Sequence, residues 1–177
     1  MATNFCVTGN PSKIPDVGCV IIPMQSGDTL KGFGACFWVA SKPYYITEIS
    51  KNRDTLHRGP ILIDPLNGAV DIIVIEDDMA ETTVVENLIF RALSFAQDNG
   101  YAKVALQLFR SGKELFPRPE HEAENAISMV NACNSFPTID TVVCVTAFER
   151  YAFLALQTNH VPFLGYWHEE TNSFQST

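Results

Sequence analysis

The segment 110–116 (RSGKELF) carries groups suited to anion binding at the end of an apolar run. The apolar run, residues 104–109, predicts a buried strand. Gly112 permits a turn in which successive backbone N–H groups point at one anion. The side chains that can add a hydroxyl donor or a positive charge are Ser111, Arg110 and Lys113. An ordinary strand-to-helix loop with solvated charges is the alternative interpretation.

A second glycine-bearing segment, 31–34 (KGFG), follows the apolar run 18–22, which also predicts a buried strand. In sheets of parallel strands, ligands bind at the carboxyl ends of the strands. Two small-residue loops at that edge can hold a diphosphate between them. Gly32 and Gly34 alone are equally consistent with a tight turn.

The remaining segments must position these loops. Helical periodicity predicts a long helix over 79–99, with Thr82 or Thr83 as its cap and Glu86 completing a capping box. Residues 61–64 and 70–75 predict a hairpin, and residues 41–58, with Pro43, predict no regular element. The other predicted strands are 4–8, 103–109 and 141–145, and the other predicted helices are 119–132 and 148–157. Alternating helices and strands favour an α/β fold, a three-layer α/β/α sandwich with a mixed sheet.

The predicted domain covers residues 1–160, and residues 161–177 form a C-terminal tail. The first half of the tail is aromatic (Phe163, Tyr166 and Trp167), so we expect it to dock on the domain. The final polar residues are expected to be loose.

Composition excludes some function classes. The net charge of −8 argues against general nucleic-acid binding. The five cysteines include no CxxC pair, which is typical of free buried thiols in a reducing cytoplasm. We expect no signal peptide, since the first residues lack a basic region followed by an apolar one, and no apolar run approaches the ~18 residues that span a bilayer. We therefore expect a cytoplasmic protein, and no residue spacing indicates a metal site or a cofactor.

The order of elements and the two loops resemble the macro domain, the ADP-ribose-binding fold, over residues 4–157. Residues 104–117 (VALQLFRSGKELFP) follow that family's strand and phosphate loop without a gap, with Gly112 in the family position. Residues 31–40 are similar to its glycine-rich loop and following helix, which favours a helix over 35–40. The segment 8–12 (TGNPS) resembles the one that contacts adenine.

The resemblance implies a layout for the ligand. Asn10 replaces the family's adenine-contacting aspartate, and Gln25 and Phe33 would lie near the distal ribose. The diphosphate would lie between the two loops, held by backbone N–H groups. The implied ligand-binding residues are Asn10, Gln25, Gly32, Phe33, Gly34, Arg110, Ser111, Gly112, Lys113 and Phe116.

The sequence also departs from the family pattern. Hydrolytic members carry asparagine-alanine-alanine-asparagine where residues 22–25 of this chain read IPMQ. Ile22 therefore replaces the first asparagine of that family motif. Glu114 and Leu115 stand where the phosphate loop has an aromatic residue and a glycine. Binding of ADP-ribose or a related nucleotide is therefore expected, while ADP-ribosyl hydrolase or phosphatase activity stays open and no catalytic residue is assigned.

The alternative is a degenerate scaffold that has lost nucleotide binding and acts through protein partners. The aromatic tail would then cover the cleft or meet a partner. The position of residues 163–167 relative to the cleft distinguishes the two hypotheses. Neither hypothesis involves a membrane.

Overall fold

The computed structural model describes residues 3–26, 37–65, 68–78, 80, 82–110 and 119–177, without the side chains of residues 37 and 40. The strands are β1 (Thr3–Val7), β2 (Cys19–Gln25), β3 (Ile61–Ile63), β4 (Asp71–Asp77), β5 (Lys103–Gln107), β6 (Asp140–Val145), β7 (Phe163–His168) and β8 (Ser173–Gln175). They form one sheet in the order β3-β4-β2-β5-β6-β1-β7-β8. Strands β3 and β8 run antiparallel to their neighbours, so the sheet is mixed, as predicted.

Helices cover both faces of the sheet. They are α1 (Phe37–Ala40), α2 (Pro43–Lys51), α3 (Arg53–Leu56), α4 (Val85–Asp98), α5 (Pro119–Asn134) and α6 (Arg150–Thr158), with a 3-10 turn over Pro11–Lys13. One core contains residues of α4, α5 and α6, and the other contains residues of α1, α2 and α3. The predicted three-layer α/β/α sandwich is therefore confirmed.

Alternation along the central strands explains the two cores. In β2, Ile21 belongs to the core beneath α4–α6, while Val20 and Ile22 belong to the core beneath α1–α3. Strands that are buried on both faces read as continuous apolar runs, which is why the sequence revealed them.

Strand β2 runs beyond the predicted end at residue 22 to Gln25, through Pro23. Pairing with β4 continues to Gln25, whereas pairing with β5 stops at Ile21. A proline is tolerated where the strand has no ladder partner for its missing N–H. The extension carries Gln25 to the carboxyl-end edge of the sheet.

The predicted cap of the long helix, Thr82 or Thr83, was wrong. Helix α4 begins at Val85, with Val84 as its N-cap and no side-chain capping bond, so the Thr83 capping box does not form. The prediction of no element over 41–58 was also wrong, because α2 and α3 lie there. Pro43 starts α2, since a proline in the first helical turn has no N–H to satisfy.

The C-terminal tail forms two strands at one end of the sheet. Strand β7 pairs in parallel with β1, and β8 pairs with β7. The ring of Phe163 packs on Phe5 and Phe153, and Trp167 packs on Phe174. The segment expected to be loose thus includes the strand Ser173–Gln175.

Within the described ranges, no helix combines the length and apolar character needed to cross a membrane.

Candidate functional site

Six parallel strands end at one edge of the sheet, in the order β4, β2, β5, β6, β1 and β7. Ligands of open α/β sheets bind beyond such an edge, at the carboxyl ends of the strands. The two glycine-bearing segments predicted to hold an anion follow β2 and β5, which are hydrogen-bonded neighbours. Both strands end at this edge, β2 at Gln25 and β5 at Gln107.

Most of the predicted site residues fall outside the described ranges: Gly32, Phe33, Gly34, Ser111, Gly112, Lys113 and Phe116. The described ones are Asn10, Gln25 and Arg110. They follow or end β1, β2 and β5 respectively, so all three lie at the carboxyl-end edge.

Arg110 is directed at the end of β4. Its Nε donates to Oδ2 of Asp77 at 2.8 Å, and its Nη2 donates to Oδ1 of Asp77 at 3.0 Å and to the carbonyl of Thr83 at 2.9 Å. The Asp77 side chain is 1% exposed, and its hydrogen bonds raise the pKa of Arg110. A buried bidentate pair of this kind fixes both orientation and charge.

The backbone of Arg110 is also unusual, with φ at 59°, a left-handed conformation uncommon in residues other than glycine. Together, the ion pair and the turn fix Arg110, the last described residue before 111–118, against the end of β4. The guanidinium is thus paired within the protein, and the phosphate contact of Arg110 that the sequence suggested stays a prediction.

Asn10 caps the 3-10 turn. Its Oδ1 accepts hydrogen bonds from the backbone N of Ser12 at 3.1 Å and from the Ser12 hydroxyl. Because both partners can donate, the oxygen must face Ser12. The Asn10 Nδ2 has no partner among the described residues, so this end of the side chain is open to a ligand.

Gln25, the last residue of β2, is the register partner of Asp77 on β4. Next to it, the backbone N of Ser26 donates to the carbonyl of Asp77 at 3.1 Å. The half-buried Gln25 side chain forms no hydrogen bond with the described part of the chain. It lies beside the Asp77–Arg110 pair and is available to a ligand.

Phe148 is a candidate site residue that the sequence interpretation missed. Its side chain is 93% exposed, and it lies in the loop after β6. That loop is beside the Asn10 turn, because the backbone N of Thr8 donates to the carbonyl of Val145 at 2.9 Å. The sequence placed Phe148 inside a helix, but α6 begins at Arg150. An exposed ring at a ligand-binding edge is suited to stacking on a nucleobase.

Two buried carboxylates lie at the start of α6, one of them next to Phe148 in the chain. Glu149 is 6% exposed and Glu122 is 8% exposed. Burial raises the pKa of Glu149 to about 7. The Glu122 carboxylate accepts hydrogen bonds from the backbone N of Tyr151 at 2.9 Å and of Ala152 at 3.0 Å. The amides that begin α6 are thus satisfied by a side chain of α5.

A separate pocket of about 180 Å³ lies at the outer edge of β4. There His57 Nδ1 is 2.7 Å from Glu76 Oε1. The lining residues are Leu56, His57, Gly59, Ile75, Glu76, Asp78, Thr83, Leu88 and Arg91. The lining of this pocket therefore includes both acidic and basic side chains.

In the part of the chain that the structure describes, no three histidine, cysteine, aspartate or glutamate side chains are grouped to hold a metal ion. The described cysteines, Cys6, Cys19, Cys133 and Cys144, are buried thiols, as predicted. Burial raises the pKa of Cys19 and of Cys133 to about 12, so both thiols stay protonated and unreactive.

No protein-family model and no curated protein sequence matches the chain. Solved structures do match. A mutant of the Oceanobacillus iheyensis macrodomain with ADPR is similar with a TM-score of 0.65 and 13% identity, over 88% of this chain and 91% of that one. The same macrodomain with ADP gives 0.64 and 14%, over 85% and 86% of the two chains.

The macrodomain of Thermus aquaticus DarG is also similar, with a TM-score of 0.57 and 16% identity, over 81% of this chain and 97% of that one. At such low sequence identity the similarity is one of backbone structure, and it covers 81–88% of this chain. The chain therefore has the macro domain fold.

Proposed function

We propose that the chain binds ADP-ribose, or a related ADP-ribosyl nucleotide, at the carboxyl-end edge of its sheet. The observation that carries this proposal is the fold, since similar macrodomains were solved with ADPR and with ADP. The described residues at that edge supply the exposed ring of Phe148 and the side-chain amides of Asn10 and Gln25. Aromatic rings and amides are groups that contact nucleotides in proteins.

The proposed ligand lies across the strand ends. Its base stacks on Phe148 beside Asn10, and its distal ribose lies near Gln25. From β1 to β2 the sheet crosses three inter-strand spacings, about 14 Å in total. The diphosphate then lies over β5 and β2, where segments 27–36 and 111–118 start.

Backbone amides are the proposed phosphate ligands. The net charge of −8 opposes an anion at long range, and the guanidinium of Arg110 is already paired with Asp77. Amide groups can hold a diphosphate without a formal positive charge, because their dipoles are fixed in place by the fold.

Binding without hydrolysis is the proposed role. Hydrolytic members of the resembling family have an asparagine where this chain has Ile22. The Ile22 side chain is fully buried in the core beneath α1–α3, where it packs with apolar neighbours. The position therefore offers no polar group to orient a ribose or a water molecule.

The scaffold alternative expects the aromatic tail either to cover the cleft or to meet a protein partner. Instead, residues 163–168 form β7 on the outer side of β1, and the Phe163 ring packs on Phe5 and Phe153. This arrangement supports the nucleotide proposal, since these rings are occupied within the sheet and with α6.

Calorimetric titration with ADP-ribose tests the proposal. We expect saturable binding with a dissociation constant in the micromolar range, about −8 kcal/mol. Ribose 5-phosphate, which lacks the base and the diphosphate, is the matched control and should bind far more weakly. Absence of both heat and thermal stabilisation at millimolar ADP-ribose would contradict the proposal.

Replacing Asn10 with aspartate should tighten ADP-ribose binding about fivefold, since a hydrogen bond contributes about 1 kcal/mol. An aspartate can still accept from Ser12 and cap the turn, while its second oxygen accepts from the exocyclic amine of adenine. The Asn10→Ala variant removes both groups and serves as the control. Weaker binding by Asn10→Asp would show instead that Nδ2 donates to the base.

A further inference from the structure

The separate pocket at the outer edge of β4 lies where that strand extends past its neighbour. Strand β3 pairs with β4 from Ile61 opposite Val74 to Ile63 opposite Ile72, whereas β4 continues to Asp77. Helix α3 lies over one face of the sheet and α4 over the other. The pocket of about 180 Å³ is lined by residues of both helices and of the end of β4, so it opens around this projecting strand end.

Part of the pocket lining is apolar and buried. It consists of Leu56 from α3, Ile75 from β4 and Leu88 from α4, which are 1%, 1% and 3% exposed. For scale, an apolar cavity of about 150 Å³ holds one benzene molecule. The pocket therefore has room for a compact organic molecule that carries a hydrocarbon group.

The Glu76 carboxylate brings an unsatisfied acceptor to this pocket. Its Oε1 lies 2.7 Å from Nδ1 of His57, and that nitrogen carries the hydrogen, because a carboxylate accepts hydrogen bonds. The Glu76 Oε2 is buried and has no hydrogen-bond partner in the ranges that the structure describes. A buried acceptor without a donor is unfavourable. A ligand that supplies an N–H group at Oε2 would therefore be stabilised there.

Arg91, in the middle of α4, brings a cation to the same pocket. It is exposed and forms no hydrogen bond or ion pair with any residue that the structure describes. The other acidic side chain of the lining, Asp78, already accepts from the backbone N of Ala80 and bonds to Thr83. The Arg91 guanidinium is therefore available to an anionic group of a ligand.

A single molecule satisfies both groups only if it carries a donor and an anion. A simple carboxylate would bond to Arg91 but would be repelled by Glu76, and a phosphate would be repelled more strongly because its charge is larger. A simple amine would leave Arg91 without a partner. A zwitterion with an ammonium, a carboxylate and a hydrocarbon side chain matches the acceptor, the cation and the apolar lining together.

We propose that this pocket binds a free apolar α-amino acid of about the size of leucine. The ammonium donates to Oε2 of Glu76, and the carboxylate accepts from the Arg91 guanidinium, which offers two parallel N–H groups. The hydrocarbon side chain packs on the three apolar side chains of the lining. His57 is a positioning residue, because its ring bonds to Oε1 and leaves Oε2 to the ligand. This site is separate from the nucleotide site and does not rest on the proposed function.

NMR titration of the full chain with L-leucine, without any nucleotide, tests the site. We expect saturable shifts of the backbone amides of His57, Glu76 and Arg91, with a dissociation constant of about 1 mM for a ligand of about nine non-hydrogen atoms. Two matched ligands each lack one group: 4-methylpentanoate has no ammonium, and 3-methylbutylamine has no carboxylate. Both should bind at least about tenfold more weakly, since each loses a hydrogen bond to a charged group.

Variants of the chain locate the bound leucine. Glu76→Gln and Arg91→Gln each remove one charged contact and should weaken binding at least about tenfold. Arg150→Gln changes an exposed arginine outside the pocket lining and should leave binding unchanged. Gly59→Leu keeps both charges but fills the pocket, and should abolish binding. A Cβ at Gly59 would lie 3.8 Å from the Arg91 Nη2, an ordinary contact, so the chain should tolerate this change. If Glu76→Gln does not fold, Arg91→Gln and Gly59→Leu decide.

Three results would overturn the amino-acid site. They are the absence of saturable shifts at leucine concentrations about tenfold above 1 mM, binding of 4-methylpentanoate as tight as that of leucine, and unchanged leucine affinity in Arg91→Gln and Gly59→Leu. The proposed function fails separately. If ADP-ribose gives no heat while leucine shifts the pocket amides, the nucleotide proposal is wrong and the amino-acid site stands; the reverse result overturns the amino-acid site alone.

Discussion

Replacing Asp77 with alanine is expected to destabilise the fold by about 3–5 kcal/mol, because the variant leaves the Arg110 guanidinium partly buried without its partner. Domains of ordinary stability have about 5–15 kcal/mol to lose, so this single change brings the chain close to unfolding. Urea denaturation monitored by circular dichroism measures the effect. The variant should also lose affinity for ADP-ribose, since the pair fixes Arg110 immediately before the 111–118 segment.

Asp78 is the matched control, because it is the next residue along the chain but is exposed, and its hydrogen bonds within the described residues go to the backbone N of Ala80 and to Thr83. Asp78→Ala should cost about 1 kcal/mol or less. The double variant Asp77→Leu with Arg110→Met should recover much of the loss, since apolar residues can replace a buried ion pair. A smaller loss in Asp77→Ala than in Asp78→Ala would contradict the anchoring role.

Replacing Phe148 with alanine is expected to weaken ADP-ribose binding by about 5- to 150-fold, equivalent to about 1–3 kcal/mol for one base stacked on one aromatic ring. Folding stability should change by no more than about 0.5 kcal/mol, because the ring is 93% exposed and contributes little buried area. Calorimetry and urea denaturation on the same variant separate the two effects.

Two further variants make this prediction specific. Phe148→Trp keeps a stacking surface and should bind within a few-fold of the wild type. Tyr151→Ala removes another exposed ring from the neighbouring first turn of α6 and should leave the affinity unchanged. Equal losses in Phe148→Ala and Tyr151→Ala would indicate a general effect on the loop and would contradict stacking.

The sheet was predictable because its central strands are buried on both sides. Runs such as 18–22 and 141–145 are apolar without interruption, and their order with the helices restricts the topology. The antiparallel hairpin of β3 and β4 was also predictable from its two apolar runs, and the structure pairs Ile61 with Val74. These features depend on local patterns that a single sequence displays.

The Asp77–Arg110 pair could not be predicted, because its partners are distant in sequence and meet only through the pairing of β4, β2 and β5. Asp77 read as part of a solvated acidic run, and Arg110 as a cation for a ligand. Phe148 was missed for a different reason: helix boundaries are weakly encoded, and a shift of two residues moves it from a helix into an exposed loop.

A crystal structure of the chain with bound ADP-ribose tests the central claim most directly. The account predicts electron density across the carboxyl ends of β1, β6, β5 and β2, with the base on Phe148 and the diphosphate between segments 27–36 and 111–118. Density confined to the pocket of His57 and Glu76, or a saturating soak without density at the strand ends, would contradict it.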